Sequence, residues 1–170
     1  PVVVLVASGR PVDLSRIAPM SDALLEIWMP GITAGRAVSG ILSGKYNPSG
    51  RLPMTFPYTT GQIPIYYNRR NPARRGTQGW YKDIQIEPMY EFGYGLSYSE
   101  FEYSPISLSA DRVAKDGKVT ATVTVKNTSD VDGMETVQWY ICDPVCRITR
   151  PVKELKHFEK RLVKAGESEV

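Results

Sequence analysis

The chain has 170 residues, with 21 Lys and Arg against 18 Asp and Glu for a formal net charge of +3, which is room for one ordinary domain or two small ones. With 42% hydrophobic and 23% charged residues, 14 Gly and 13 Pro, its composition is globular, neither disordered nor collagen-like. Two cysteines are too few for a small disulfide-framed scaffold, and no apolar run approaches the roughly 20 residues that span a bilayer.

The chain opens on Pro1, not Met, and runs straight into Val2-Val3-Val4-Leu5-Val6-Ala7. No charged segment precedes this run as a signal peptide requires, and the opening reads as an interior part of a longer polypeptide. A continuous β-branched and aliphatic run that ends in Ser8-Gly9-Arg10-Pro11 predicts a parallel strand covered on both faces, followed by a turn. A second such strand is predicted over Ala23 to Met29, stopped by Pro30-Gly31. Ala34, Ala37, Val38, Ile41 and Leu42 then fall at helical spacing, and Gly44 stands where a helix ends. Strand, crossover, strand and helix make the grammar of an α/β sheet.

From Tyr46 to about Tyr98 periodicity disappears, while Pro, Gly, Asn and aromatic residues crowd in. So long a stretch without regular structure predicts a linker fastened to its neighbours by its rings. Beyond Phe101 the pattern becomes period two: Lys118 to Lys126 alternates strictly, Asn127 to Gly133 reads as an exposed polar turn, and Glu135 to Ile141 alternates again. About four strands are legible, fewer than the seven of a complete β-sandwich.

Residues able to carry chemistry are scattered. Glycosidic hydrolysis needs two carboxyl groups roughly 5 to 9.5 Å apart. The candidates are Asp13, Asp22, Glu26, Asp83, Glu87 and Glu91, and none stands out; Asp13 and Asp22 flank turns, where such side chains bond nearby amides. The single histidine, His157, lies in a charged run that reads as an exposed strand, which leaves a Ser-His-Asp site without support. Cys142 and Cys146 lack the further ligands of a zinc site; they read either as a disulfide closing the turn in an oxidising compartment or as two free thiols. Arg69, Arg70, Arg74 and Arg75 surround Asn71-Pro72-Ala73 without any nucleic-acid-binding motif, and read as a solvated face or as partners for carboxylates. Asn127-Thr128-Ser129 satisfies the glycosylation sequon. Among the rings, Phe92, Tyr94 and Tyr98 read as fasteners of the linker, whereas Trp80 and Tyr81 are candidates to stack on a sugar face.

Several segments in order, VVVLVASGRP (2–11), Trp28-Met29-Pro30-Gly31 through Leu42, Asn47-Pro48-Ser49-Gly50-Arg51-Leu52-Pro53 through Pro57, Gly61 to Asn68, Tyr90 to Tyr98 and Arg150 to Leu155, resemble glycoside hydrolase family 3, in particular its periplasmic β-glucosidase branch. The resemblance covers nearly the whole chain. It implies the closing part of an α/β sandwich over 1–57, an aromatic- and Arg-rich linker over 58–100, and an incomplete fibronectin type III-like β-sandwich over 101–170. It further implies a retaining exo-β-glucosidase acting on terminal non-reducing β-D-glucosyl residues. The Asp nucleophile and the Glu acid/base would lie in missing N-terminal domains, with no catalytic residue in this segment.

The implied partners are a β-linked oligosaccharide or glucoside and those catalytic domains, with no nucleic acid, membrane, metal or cofactor, in a periplasmic or secreted setting. Alone, so partial a chain is expected to be marginally stable and inactive. This sequence departs from the family at His157, where Gly is frequent, at the cysteine pair, and at Arg75-Gly76-Thr77 and Gly79 to Asp83 in the linker. Two alternatives stand beside the β-glucosidase: a non-catalytic carbohydrate-binding or adhesion module, and a β-xylosidase or β-N-acetylglucosaminidase of the same family.

Overall fold

The computed structural model describes residues 1–70 and 86–170, whose regular elements are mostly short strands, with one α-helix. Strand β1 (Val3–Val6) pairs in parallel with β2 (Ala23–Glu26), in register from Val3 opposite Ala23 to Val6 opposite Glu26. The parallel pairing is the expected one. The connection is a loop around buried Leu14, whose carbonyl accepts the amides of Ile17 and Ala18 at 3.0 and 2.9 Å and opens a 3-10 turn over Ala18–Met20. The expectation of burial on both faces is overturned: Val3 and Leu5 are each 43% exposed. Only two strands form this sheet among the described residues, so its aliphatic side chains have little to pack against.

Helix α1 (Ala34–Leu42) carries Ala34, Ala37, Val38 and Ile41 on one stripe. It ends as the sequence predicts, with Gly44 at φ +75° donating its N–H to Ile41 O at 2.9 Å. Gly40 is buried because Tyr46 lies across it: a Cβ there would stand 2.2 Å from the tyrosine ring. From 46 to 100 the described chain has no strand, only a 3-10 turn over Thr60–Gln62 and the bridges of Phe56 with Tyr90 and of Arg70 with Pro151.

The remainder forms seven strands: β3 (Phe101–Tyr103), β4 (Ser107–Leu108), β5 (Ala121–Thr122), β6 (Val125–Asn127), β7 (Gly133–Ile141), β8 (Glu154–Val163) and β9 (Ser168–Glu169). They pair antiparallel as β3-β6-β9, β4-β5 and β7-β8. The count exceeds the four that alternation revealed, because two- and three-residue strands are too short to show a period. Lys118 to Lys126 is likewise not one strand. The chain changes partner between β5 and β6, where Ser104 and Thr124 exchange bonds, the amide of each donating at 2.9 Å to the other's carbonyl or hydroxyl oxygen.

Asn127 corrects a second expectation. It closes β6 with no exposed surface, donates from Nδ2 to the carbonyls of Val131 (2.8 Å) and Val163 (3.0 Å), and accepts on Oδ1 from the Ser129 amide and hydroxyl. The sequon reads as surface because Asn is polar, but here the amide is an internal strut.

Candidate functional site

A dense set of hydrogen bonds forms where Asn47 to Pro57 runs beside Met89 to Ser99. Leu52 N donates to Tyr94 O and Gly93 N to Leu52 O, both at 2.8 Å, and Phe56 N donates to Tyr90 O at 2.9 Å. Asn47 is saturated. Its Nδ2 donates to Ser99 Oγ (2.8 Å) and Asp132 O (2.9 Å), while its Oδ1 accepts from Ser97 Oγ and Tyr98 N, both at 2.8 Å. One side chain thus holds α1's exit, the linker and the approach to β7 together. Tyr98 adds a bond from its hydroxyl to Ile41 O of α1 at 2.8 Å.

Four residues on, Arg51 reaches Glu135 of β7 through Nη2 and Oε2, with side chains only 13% and 10% exposed. Tyr103 donates its hydroxyl to Glu135 Oε1 at 2.7 Å, so both carboxylate oxygens are engaged. Burial foremost, then this bond and the Glu135 charge, hold the Tyr103 phenol far above its ordinary range, with Arg51 opposing. Tyr103 therefore stays a neutral donor. Gly95 lets this happen, since a Cβ there would stand 2.3 Å from Gly50 O.

Rings complete the fastening. Phe92 stacks on Tyr67 at 4.4 Å, Tyr67 meets Tyr140 of β7 edge-on at 6.1 Å, Tyr90 stacks on Tyr94 at 5.1 Å, and Trp28 abuts buried Phe56 at 5.9 Å. Phe92, Tyr94 and Tyr98 thus sit in the fastening roles read for them. Beside the clamp lies a cavity of about 730 Å³, lined by Arg51, Tyr94, Tyr103, Gln138 and Trp139 among others.

Among the described residues, most of the candidate carboxylates are engaged by neighbours. Asp13 accepts the amide and hydroxyl of Ser15, which hold its carboxyl below the usual range; Asp22 accepts Val2 N at 2.6 Å. Glu87 meets Arg69 at 3.2 Å and Glu91 meets Lys153 at 2.9 Å. Glu26 differs. At the end of β2 its Oε1 accepts the amide of Trp28, a residue in the left-handed region at φ 49°, while Oε2 is buried with no hydrogen-bond partner. Burial raises its pKa, against the amides of Trp28 and Ser8.

The other predicted residues lie apart. His157 is exposed on β8 opposite Trp139. Arg70 bridges Pro151. Cys142 and Cys146 are exposed free thiols in the loop after β7. Trp80, Tyr81, Asp83, Arg74 and Arg75 fall outside the described residues. Among the described residues no cluster of three metal-binding side chains occurs, and no helix is long and apolar enough to cross a membrane. Asn47, Arg51, Tyr103 and Glu135 were not singled out from sequence, although two of them stand in the Asn47-to-Pro57 motif.

The family model for the glycosyl hydrolase family 3 C-terminal domain matches residues 1–98, and that for a fibronectin type III-like domain matches residues 135–170. A periplasmic β-glucosidase of Salmonella typhimurium is 42% identical, over 98% of this chain and 23% of its own. A β-xylosidase of Formosa agariphila is 38% identical, over 99% of this chain and 23% of its own. The crystal structure of a β-glucosidase from Listeria innocua in complex with isofagomine superposes with a TM-score of 0.93 at 47% identity, covering 99% of this chain and 25% of that one. The chain therefore spans about a quarter of the length of these proteins.

Proposed function

Because the chain belongs to glycoside hydrolase family 3, we propose that it serves as the C-terminal portion of a retaining exo-β-glucosidase that removes terminal non-reducing β-D-glucosyl residues from oligosaccharides or glucosides, in the periplasm or outside the cell. In this reading the nucleophile and the acid/base belong to N-terminal domains, and this segment supplies no catalytic residue. Its work is to hold them in place. Residues 1–57 complete an α/β sandwich, 58–100 link, and 101–170 form a fibronectin type III-like buttress.

The observation that carries the reading is the clamp. Two residues of the family-like Asn47-to-Pro57 motif, Asn47 and Arg51, are consumed in joining three parts of the chain. Of the candidate carboxylates among the described residues, Asp13, Asp22, Glu87 and Glu91 are bonded locally or ion-paired, as a scaffold requires and a retaining pair does not. The β-xylosidase relative supports a second reading, in which the chemistry is kept and the sugar is a xyloside.

The test is release of nitrophenol from aryl β-D-glucosides and β-D-xylosides by the complete polypeptide and by these 170 residues alone. We expect turnover of the glucoside by the complete protein and none by the segment. Activity in the segment would overturn the scaffold role. Inactivity of the complete protein on both substrates and on an aryl N-acetyl-β-D-glucosaminide would overturn the hydrolase reading in favour of a non-catalytic module, and preference for the xyloside would select the second reading.

A further inference from the structure

We propose that Cys142 and Cys146 are a redox modification site: a dithiol that closes to an intraloop disulfide and stiffens the β7–β8 loop where it rests on the linker. The inference does not depend on the hydrolase reading. Both thiols are exposed and therefore within reach of an oxidant. They lie four positions apart, at the start of the loop that leaves β7 at Ile141 and enters β8 at Glu154. Asp143-Pro144 bends the chain between them, since Pro fixes its own φ and pushes the residue before it away from helix. Cys146 Sγ lies 3.8 Å from the carbonyl of Asp143, the residue next to Cys142, so the chain between the two cysteines is turned rather than extended.

The far end of the same loop is anchored. Val152 N donates to Arg69 O at 2.9 Å, Pro151 bridges Arg70, and Lys153 pairs with Glu91 at 2.9 Å while lying 5.3 Å from the centre of the Tyr140 ring. Arg150 pairs with Glu154. Between the thiols and these anchors, residues 147–149 have no described partner other than their neighbours in the chain. A crosslink at 142–146 therefore ties Cys146 to the residue that follows β7 and leaves 147–149 as the span between it and the anchors.

Closure proceeds by exchange with a disulfide-bearing oxidant, a small-molecule disulfide or a dithiol oxidase. One cysteine thiolate attacks the oxidant's S–S bond and expels one of its sulfurs as thiolate. The second cysteine then attacks the mixed disulfide and expels the other sulfur. The pair loses two electrons and two protons, and the oxidant gains them.

The experiment incubates the full-length protein in glutathione buffers of graded ratio, quenches with an alkylating agent, and maps the peptides by mass. The expected product is a peptide spanning Cys142 and Cys146 that is lighter by two hydrogens, unalkylated and free of glutathione. Cys142→Ser and Cys146→Ser should each trap a single glutathione mixed disulfide instead. In the oxidised wild type, hydrogen exchange at the Val152 amide should slow roughly tenfold, the scale expected for closing a short loop, and neither serine variant should show this. Thiols alkylated at every ratio, a doubly glutathionylated peptide, a crosslink between molecules, or unchanged exchange at Val152 would each overturn the proposal. No readout depends on glycosidase activity, so failure here leaves the hydrolase reading intact.

Discussion

The β1–β2 sheet and the clamp invert each other. In the sheet, side chains that water disfavours stand outside: Val2, Val3 and Leu5 are 54%, 43% and 43% exposed. In the clamp, side chains that water favours stand inside: Ser99, Glu135 and, just beyond it, Asn127 are all buried. The first arrangement is stable only if something covers it. The second is stable only if every buried polar group is bonded, and Asn47, Glu135 and Asn127 are. The sheet is thus the open face of the segment and the clamp its finished joint.

The comparison breaks most severely at Arg51–Glu135. Glu135→Ala leaves a nearly buried guanidinium without its partner and frees the Tyr103 hydroxyl, and should destabilise the full-length protein by about 3–5 kcal/mol, read from its denaturant midpoint. Glu87→Ala removes the partner of Arg69, but Glu87 is 70% exposed and the loss should stay under about 1 kcal/mol. Equal effects would mean that the clamp is no more than a surface ion pair.

Asn127→Ala comes next, removing a donor to the Val131 and Val163 carbonyls and the acceptor of the Ser129 amide, at a cost of about 1–3 kcal/mol. Its burial also forbids a glycan on the folded chain. Expression in a glycosylating host should leave the 127–129 peptide unmodified by mass, and an occupied Asn127 would contradict the joint as described.

Glycine-to-alanine changes should differ in sign between the regions. At Gly95 the new methyl meets the Gly50 carbonyl at 2.3 Å, a backbone contact that cannot swing aside, with a loss of about 1–3 kcal/mol. At Gly35, in α1, nothing lies within 4 Å, and alanine should stabilise by up to about 1 kcal/mol. Thermal midpoints of the two variants should bracket the wild type.

What sequence reveals follows the same division. The parallel strands, α1 and its stop at Gly44 are written in local periodicity and punctuation, and the fastening roles of Phe92, Tyr94 and Tyr98 in ring density. The clamp is not, because Arg51 and Glu135 are 84 positions apart and each reads as a surface charge until the fold joins them. Asn127 misleads for the same reason. β5 and β9, two residues each, carry no period to read. Exposure of β1 was equally invisible, since an aliphatic run states a preference for burial without saying what supplies it.

The smallest expected effect lies at the border of the two regions, on Glu26. Its carboxyl sits at the end of β2 with one oxygen buried and unbonded, and burial raises its pKa above the ordinary value of 4.5. A carboxyl whose folded pKa is raised binds protons more tightly in the native state than in the unfolded one, so stability falls as pH climbs through the window above 4.5. Below that value both states are protonated and the difference vanishes. Glu26→Gln keeps an oxygen to accept the Trp28 amide and removes the charge. The variant should therefore match the wild type in acid and be the more stable at neutral pH, with the gap opening between the two. Denaturant midpoints across that range measure it. A gap that is constant with pH would mean that packing alone distinguishes the variants. A gap that widens toward acid would mean that Glu26 is stabilised as a carboxylate, and that a donor on the covering surface reaches its free oxygen.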